Sequence, residues 1–143
     1  MTPLLRHPHV GDAPAIVELL AQLGYPGAEA FIERRLRELD EHPDALLRVA
    51  EADGVVLGVI SLHFLPQLAL PRDFCRIAYL CVAEGARGLG IGARLEAWAE
   101  AQARLRDCDR IELHSGVRRV DAHRFYARIG YAESPKYLVK SLA

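Results

Sequence analysis

The stretch Val82-Ala83-Glu84-Gly85-Ala86-Arg87-Gly88-Leu89-Gly90-Ile91-Gly92-Ala93 constrains the fold more than any other part of the chain. An apolar, strand-like run over 74–82 precedes it, and a segment of helical periodicity over about 90–105 follows. Glycines let the backbone approach a ligand closely and turn successive amides toward one point. A helix start adds unsatisfied N–H groups and the positive end of the helix dipole. Arg87 supplies a full positive charge beside them. Arg87, Gly88, Leu89, Gly90, Ile91, Gly92 and Ala93 therefore describe a cradle for a pyrophosphate.

No Gly-Lys-Ser/Thr follows, which excludes a nucleoside-triphosphate P-loop. Gly88, Gly90 and Ala93 do satisfy the G-x-G-x-x-G/A spacing of a dinucleotide fold, and Glu112 stands downstream where a ribose contact belongs. Position opposes that assignment. The dinucleotide fingerprint occupies a first strand-to-helix turn, whereas here a hairpin and two helices come first. The remaining chain is also too short for a doubly wound sheet. A tight turn without any ligand is the plain alternative, and three alternating glycines at such a junction are costly without a use.

Elsewhere the pattern is that of one α/β domain spanning 1–143. Residues 3–7 read as a short strand. Asp12 reads as an N-cap for a helix with Pro14 in its first turn, Ile16, Leu19, Leu20 and Leu23 on its apolar face and Gly24 as its stop. Residues 28–40 read as a second helix with Phe31, Ile32, Leu36 and Leu39 inward. Strands over 45–51 and 55–64 are joined by Asp53-Gly54, a hairpin signal. The near-continuous apolar run over 74–82 predicts a central strand buried on both faces. After the glycine turn and its helix come a strand over 110–114, a helix over 121–129 stopped by Gly130, and a last strand over 131–141. The order β-α-α-β-β-β-α-β-α-β predicts helices flanking a sheet of mixed strand direction.

Charge narrows the partners. Eighteen basic groups against 19 acidic give a net charge of −1, which removes the electrostatic basis for binding nucleic acid or a polybasic attachment to membrane. Sixteen of the basic residues are arginines, the side chain suited to bidentate phosphate recognition, although coding bias produces the same excess. Cys75, Cys81 and Cys108 are odd in number and lack C-x-x-C spacing, so neither a disulfide framework nor a zinc site is expected. Cys75 and Cys81 sit among apolar neighbours as core fillers. The six histidines lack metal-ligand spacing, and the N-terminus lacks a secretory apolar core, so a cytoplasmic protein without metal is expected.

Arg87-Gly88-Leu89-Gly90-Ile91-Gly92 resembles the R/Q-x-x-G-x-G/A motif of the GNAT family of N-acetyltransferases, and Leu80-Cys81-Val82 resembles the family's fourth strand. Downstream, Ala122-His123-Arg124-Phe125-Tyr126-Ala127-Arg128-Ile129-Gly130-Tyr131 is similar to its A-x-x-F-Y-x-x-x-G-F segment. With the early helix pair before a hairpin, the resemblance covers nearly the whole chain. Two departures stand out: Arg119 replaces a common asparagine, and Glu84 replaces a common proline. The resemblance implies the GNAT fold, a mostly antiparallel central sheet whose middle strands splay, and acetyl-coenzyme A (acetyl-CoA) as donor for direct transfer to an amine.

On that resemblance, main-chain groups of Cys81 and Val82 hold the pantetheine arm and polarise the thioester carbonyl. The amides of Leu89 to Ala93 hold the pyrophosphate with Arg87, and Arg119 reaches a phosphate in place of the asparagine. Tyr126 protonates or hydrogen-bonds the departing thiolate, for which a phenol is a matched acid. Phe125 is expected in the core. The acceptor is the primary amine of a small molecule or peptide, and a homodimer is implied by resemblance alone. Glu112, His114, His63 and Asp73 all stand where a proton acceptor could be, Tyr79 could line the cleft, and the residues alone do not choose among them. The loop 115–119 could set arginines against a phosphate or an acidic acceptor. A non-catalytic acyl-CoA sensor is the alternative from another functional class, with the tyrosine at 126 favouring catalysis.

Overall fold

A computed structural model describes residues 2–115, 119–134 and 137–143. The chain falls into two compact units, 1–112 and 113–143. The expected arginine loop at 115–119 and final strand over 131–141 both include positions outside the described residues.

The first unit opens with β1 (Leu4–Arg6), one 3-10 turn (Val10–Asp12) and α1 (Ala13–Leu23). Gly24 ends α1 in the left-handed region at φ 112°, the conformation that glycine adopts without strain. The expected second helix divides: a 3-10 turn over Ala28–Ala30 precedes α2 (Ile32–Glu41), and Phe31 lies between them at φ −139°. That break turns Phe31 outward, 44% exposed, instead of into the core. Asp12 also departs from expectation. It precedes α1 but makes no side-chain cap, because its carboxylate accepts from the His9 amide at 2.8 Å and from Arg6 Nη1 and Nη2 at 2.8 and 2.9 Å. A charged partner outcompetes the neutral amides of a helix start.

β2 (Ala45–Ala52) and β3 (Val55–Leu65) form a hairpin through Asp53 and Gly54, both at positive φ as a tight two-residue turn requires. β4 (Phe74–Val82) pairs antiparallel with β3, and β5 (Ile111–Leu113) completes the sheet in the order β1-β2-β3-β4-β5. The Asp109 amide donates to Asp73 O and the Cys75 amide to Arg110 O, so both strands advance together and run parallel. The sheet is therefore mixed and mostly antiparallel. β5 has 3 residues against 9 in β4, so the C-terminal half of β4 runs on past their shared ladder.

α1 and α2 cover one face of the sheet, where Ala13, Ile16, Leu19, Ile32, Val49, Val59 and Cys81 form a buried cluster. α3 (Ile91–Leu105) covers the other: a Cβ on Gly58 would meet Ile91 Cγ2 and Leu95 Cδ1 at 3.0 Å each. Cys75 and Cys81 are buried, as core fillers should be, and burial pushes the Cys75 thiol up to about 12.

The second unit contains α4 (Val120–Arg128), followed by Gly130 at φ 102°. Phe125 is half-buried, and no residue of α4 is fully buried. The last expected strand does not form among the described residues of 131–143. Tyr137, Leu138 and Val139 have strand composition but are 63%, 85% and 79% exposed, and a β-prone segment becomes a strand only against a paired edge.

Candidate active site

β4 leads directly into the glycine turn. The Ala83 amide donates to Leu57 O at 2.8 Å, one 3-10 turn over Glu84–Ala86 follows, and α3 begins at Ile91. The Glu84 amide donates to Gln22 Oε1 at 3.1 Å, which ties the turn to α1. Ala86 is buried and anchors the loop, while Arg87, Gly88, Leu89 and Gly90 are exposed. Gly88 and Gly90 stand at φ 87° and 79°, and a Cβ on either would meet nothing within 4 Å. Both are required by backbone conformation rather than by crowding.

Gly90 is the N-cap of α3 and has no side chain to satisfy the helix start. The first intrahelical bond runs from the Arg94 amide to Gly90 O at 3.1 Å. The amides of Ile91, Gly92 and Ala93 thus lie in the turn whose N–H groups have no intrahelical acceptor. Leu89 differs, because its amide already donates to Ala86 O at 3.4 Å. An uncapped helix start with an exposed arginine beside it fits a pyrophosphate.

The ladder between β3 and β4 decides which main-chain groups of β4 face outward. With Ala83 bonded to Leu57, alternation in an antiparallel pair makes Cys81 and Val59 a hydrogen-bonded pair as well. The main chain of Cys81 is consequently turned toward β3. The N–H and C=O groups of Leu80 and Val82 point the other way, off the part of β4 that outruns β5. Sequence reasoning named Cys81 and Val82 together; strand parity separates them and adds Leu80.

The register also changes which side chains share a face. Ser61 is opposite Tyr79, but Leu62 is opposite Ile77, so Ala78 is an extra residue in β4. Val59 and Cys81 belong to the α1 face, which therefore also carries Ser61, Tyr79, His63 and Arg76. Tyr25, just after α1, packs edge-on against Tyr79 at 5.4 Å between ring centroids.

The candidate proton acceptors part company here. Burial works to raise the Glu112 carboxyl, yet Arg76 and Arg110 outweigh it and hold the group below its ordinary range. Burial, with the nearby His42 and Arg76, lowers the His63 imidazole below its ordinary range. Asp73 is exposed at the start of β4. In the second unit, His114 stacks on Tyr137 at 4.1 Å, and Tyr126 packs edge-on with Phe125 and Tyr131 at 5.1 and 5.5 Å. Arg119 is exposed and directly precedes α4. Among the described residues no group of three His, Cys, Asp or Glu could hold a metal ion, and no helix is long and apolar enough to cross a membrane.

Comparison with known proteins agrees with this architecture. The family description "Acetyltransferase (GNAT) family" matches residues 14–131. The aminoalkylphosphonate N-acetyltransferase of Salmonella typhimurium strain LT2 is 35% identical over 140 residues, covering 96% of this chain and 90% of that protein. The crystal structure of glucosamine-6-phosphate N-acetyltransferase from Arabidopsis thaliana superposes with a TM-score of 0.87 at 19% identity, over 100% of both chains. A GNAT family acetyltransferase from Staphylococcus aureus subsp. aureus USA300_TCH1516 gives 0.81 at 23% identity, over 99% of this chain and 100% of that one. With its glycine cradle at the start of α3 and its mixed, open sheet, the chain belongs to the GNAT acetyltransferase family and is an N-acetyltransferase with acetyl-CoA as its donor.

Proposed function

We propose that the chain, acting as one domain over 1–143, transfers acetyl directly to the primary amine of a small aminoalkylphosphonate. The uncapped start of α3 carries the donor side of this reading. Gly88, Gly90, Ile91, Gly92 and Ala93 present amides to the pyrophosphate with Arg87, and Leu89 shapes the turn. Val82, with Leu80, offers outward main-chain groups to the pantetheine arm, while Cys81 supports them from the core. Arg119 meets a phosphate of the cofactor from the start of α4.

Tyr126 is the acid that protonates the departing thiolate, a role its phenol suits. Before attack the ammonium must give its proton to a base or a water relay, since it has no lone pair to offer. The acceptor class follows the relative that matches along nearly the whole chain. The protein works in the cytoplasm as a homodimer, needs no metal and binds neither nucleic acid nor membrane. Sedimentation velocity reads the dimer.

The deciding measurement is thiol release from acetyl-CoA across aminoalkylphosphonates, amino acids, polyamines, aminoglycosides and peptide N-termini. Selective turnover with the phosphonates is expected, and Tyr126→Phe should lower kcat by about 10- to 100-fold at retained acetyl-CoA affinity. Turnover confined to peptides or polyamines would overturn the acceptor assignment.

A further inference from the structure

Arg76 enters the α1 face because of one extra residue. Positions 76 and 79 differ by an odd number and would point to opposite faces of a regular strand. Ala78 restores them to one side, Arg76 opposite His63 and Tyr79 opposite Ser61. Bulges re-aim side chains in this way.

The guanidinium of Arg76 is held but not saturated. Its Nε donates to Glu112 Oε1 at 3.2 Å, and its Nη2 donates to the same oxygen. Among the described residues Nη1 makes no hydrogen bond, and the side chain is 38% exposed. Arg110 is different. Its Nε and Nη2 meet Glu112 Oε2 at 3.3 and 3.2 Å, while Nη1 donates to Gln67 Oε1 at 2.7 Å and Asp109 Oδ1 at 3.1 Å. Both guanidiniums lie against Phe74, at 5.5 Å for Arg76 and 4.5 Å for Arg110. Glu112 therefore divides its charge between two cations, and of these two, among the described residues, Arg76 keeps a free donor edge.

We propose that Arg76 is the anchor for the anionic group of the acceptor, with Glu112 as the positioning residue that aims it. The inference rests on the aminoalkylphosphonate reading. At about 3.3 Å per residue, Arg76 lies on the order of 10 Å along β4 from Tyr79. Its guanidinium lies beside Glu112 and against Phe74, and a phosphonate bound to it points its aminoalkyl arm along β4 toward Tyr79. The free Nη1 donates to one phosphonate oxygen, while Nε and Nη2 stay on Glu112. Arg48 also lacks a carboxylate partner among the described residues, but it stacks on Trp98 of α3 at 4.9 Å, on the opposite face.

The test compares an aminoalkylphosphonate with the matched aminoalcohol, whose group is uncharged, as a ratio of kcat/KM. In Arg76→Ala the preference for the phosphonate should shrink by about 10- to 100-fold through KM. Arg76→Lys keeps the charge without the fork and should fall between the two. Glu112→Gln should raise KM for the phosphonate with kcat largely kept. A thermal shift with coenzyme A identifies the variants that fold. Wild-type turnover of phosphonates with an unaltered ratio in both folded Arg76 variants overturns the anchor and leaves the acceptor assignment standing. If the wild-type protein instead takes another anionic amine, the phosphonate assignment falls and the same ratio, measured with that amine, decides the anchor. Turnover of uncharged amines only overturns both.

Discussion

The glycine turn and the first half of β4, the two proposed anion sites, are built in opposite ways. The turn uses amides whose positions follow from Gly88 and Gly90 at positive φ and from a helix start that lacks a capping side chain. β4 uses a guanidinium whose direction depends on a bulge at Ala78, a register against β3 and a carboxylate delivered by β5. Main-chain sites are written in consecutive residues. Side-chain sites on a sheet are written in partners far apart in the sequence, so the two differ in how they break.

Gly90→Asp should produce the largest loss, on the order of 1,000-fold in acetyl-CoA affinity by titration calorimetry, because it sets an anion where phosphate belongs. Gly90→Ala isolates the backbone contribution, about 1 kcal/mol of strain at φ 79°. If both variants bind alike, the turn is not a main-chain site.

Asp12→Ala should cost about 3 kcal/mol in urea unfolding, since it removes two charge-assisted hydrogen bonds from Arg6, which keeps Glu51 at 3.2 Å. Arg6 holds the Asp12 carboxyl below its ordinary range, against burial. Its contribution is therefore complete above the unfolded carboxylate pKa of about 4 and is lost as pH falls through the depressed folded value. The variant should show a shallower loss of stability in acid.

A smaller effect is expected for Gly58→Ala, about 2 kcal/mol in thermal unfolding, from forcing a methyl group against Ile91, Leu95 and Cys81 O. That contact packs α3 against the strand beside β4, so a neutral result would mean the packing yields more readily than the geometry implies. Arg87→Ala should be the mildest, about tenfold in the KM for acetyl-CoA, because an exposed side chain adds to a cradle built from amides. A larger loss than Gly90→Asp would invert the contrast between the two regions.

Legibility from sequence follows the same division. The hairpin at Asp53-Gly54, the span of β4, the stop at Gly24 and the start of α3 are local events, and each stands within a residue or two of its expected position. Phe31 was not legible as exposed, because the break before α2 is set by Ile32 docking on the core rather than by Phe31 itself. Asp12 has the composition of a cap and is claimed by Arg6 from another element. The outward main chain of Leu80 required the pairing of β4 with Val59 and Leu57, which no single stretch contains. Arg76 carried no sequence signal, since alternation predicts the wrong face for it until Ala78 is seen as an extra residue.

That single inserted position has a consequence for inheritance. Removing Ala78 would slide residues 74–77 by one step, bringing Cys75 and Ile77 to the α1 face and driving Arg76 toward α3. On the proposed anchor role, descendants can exchange Arg76 by ordinary substitution and acquire a new acceptor preference, while Cys75 and Ile77 on either side of it stay committed to the core. A deletion at that codon is a different event, one that loses the core and the acceptor wall in the same generation.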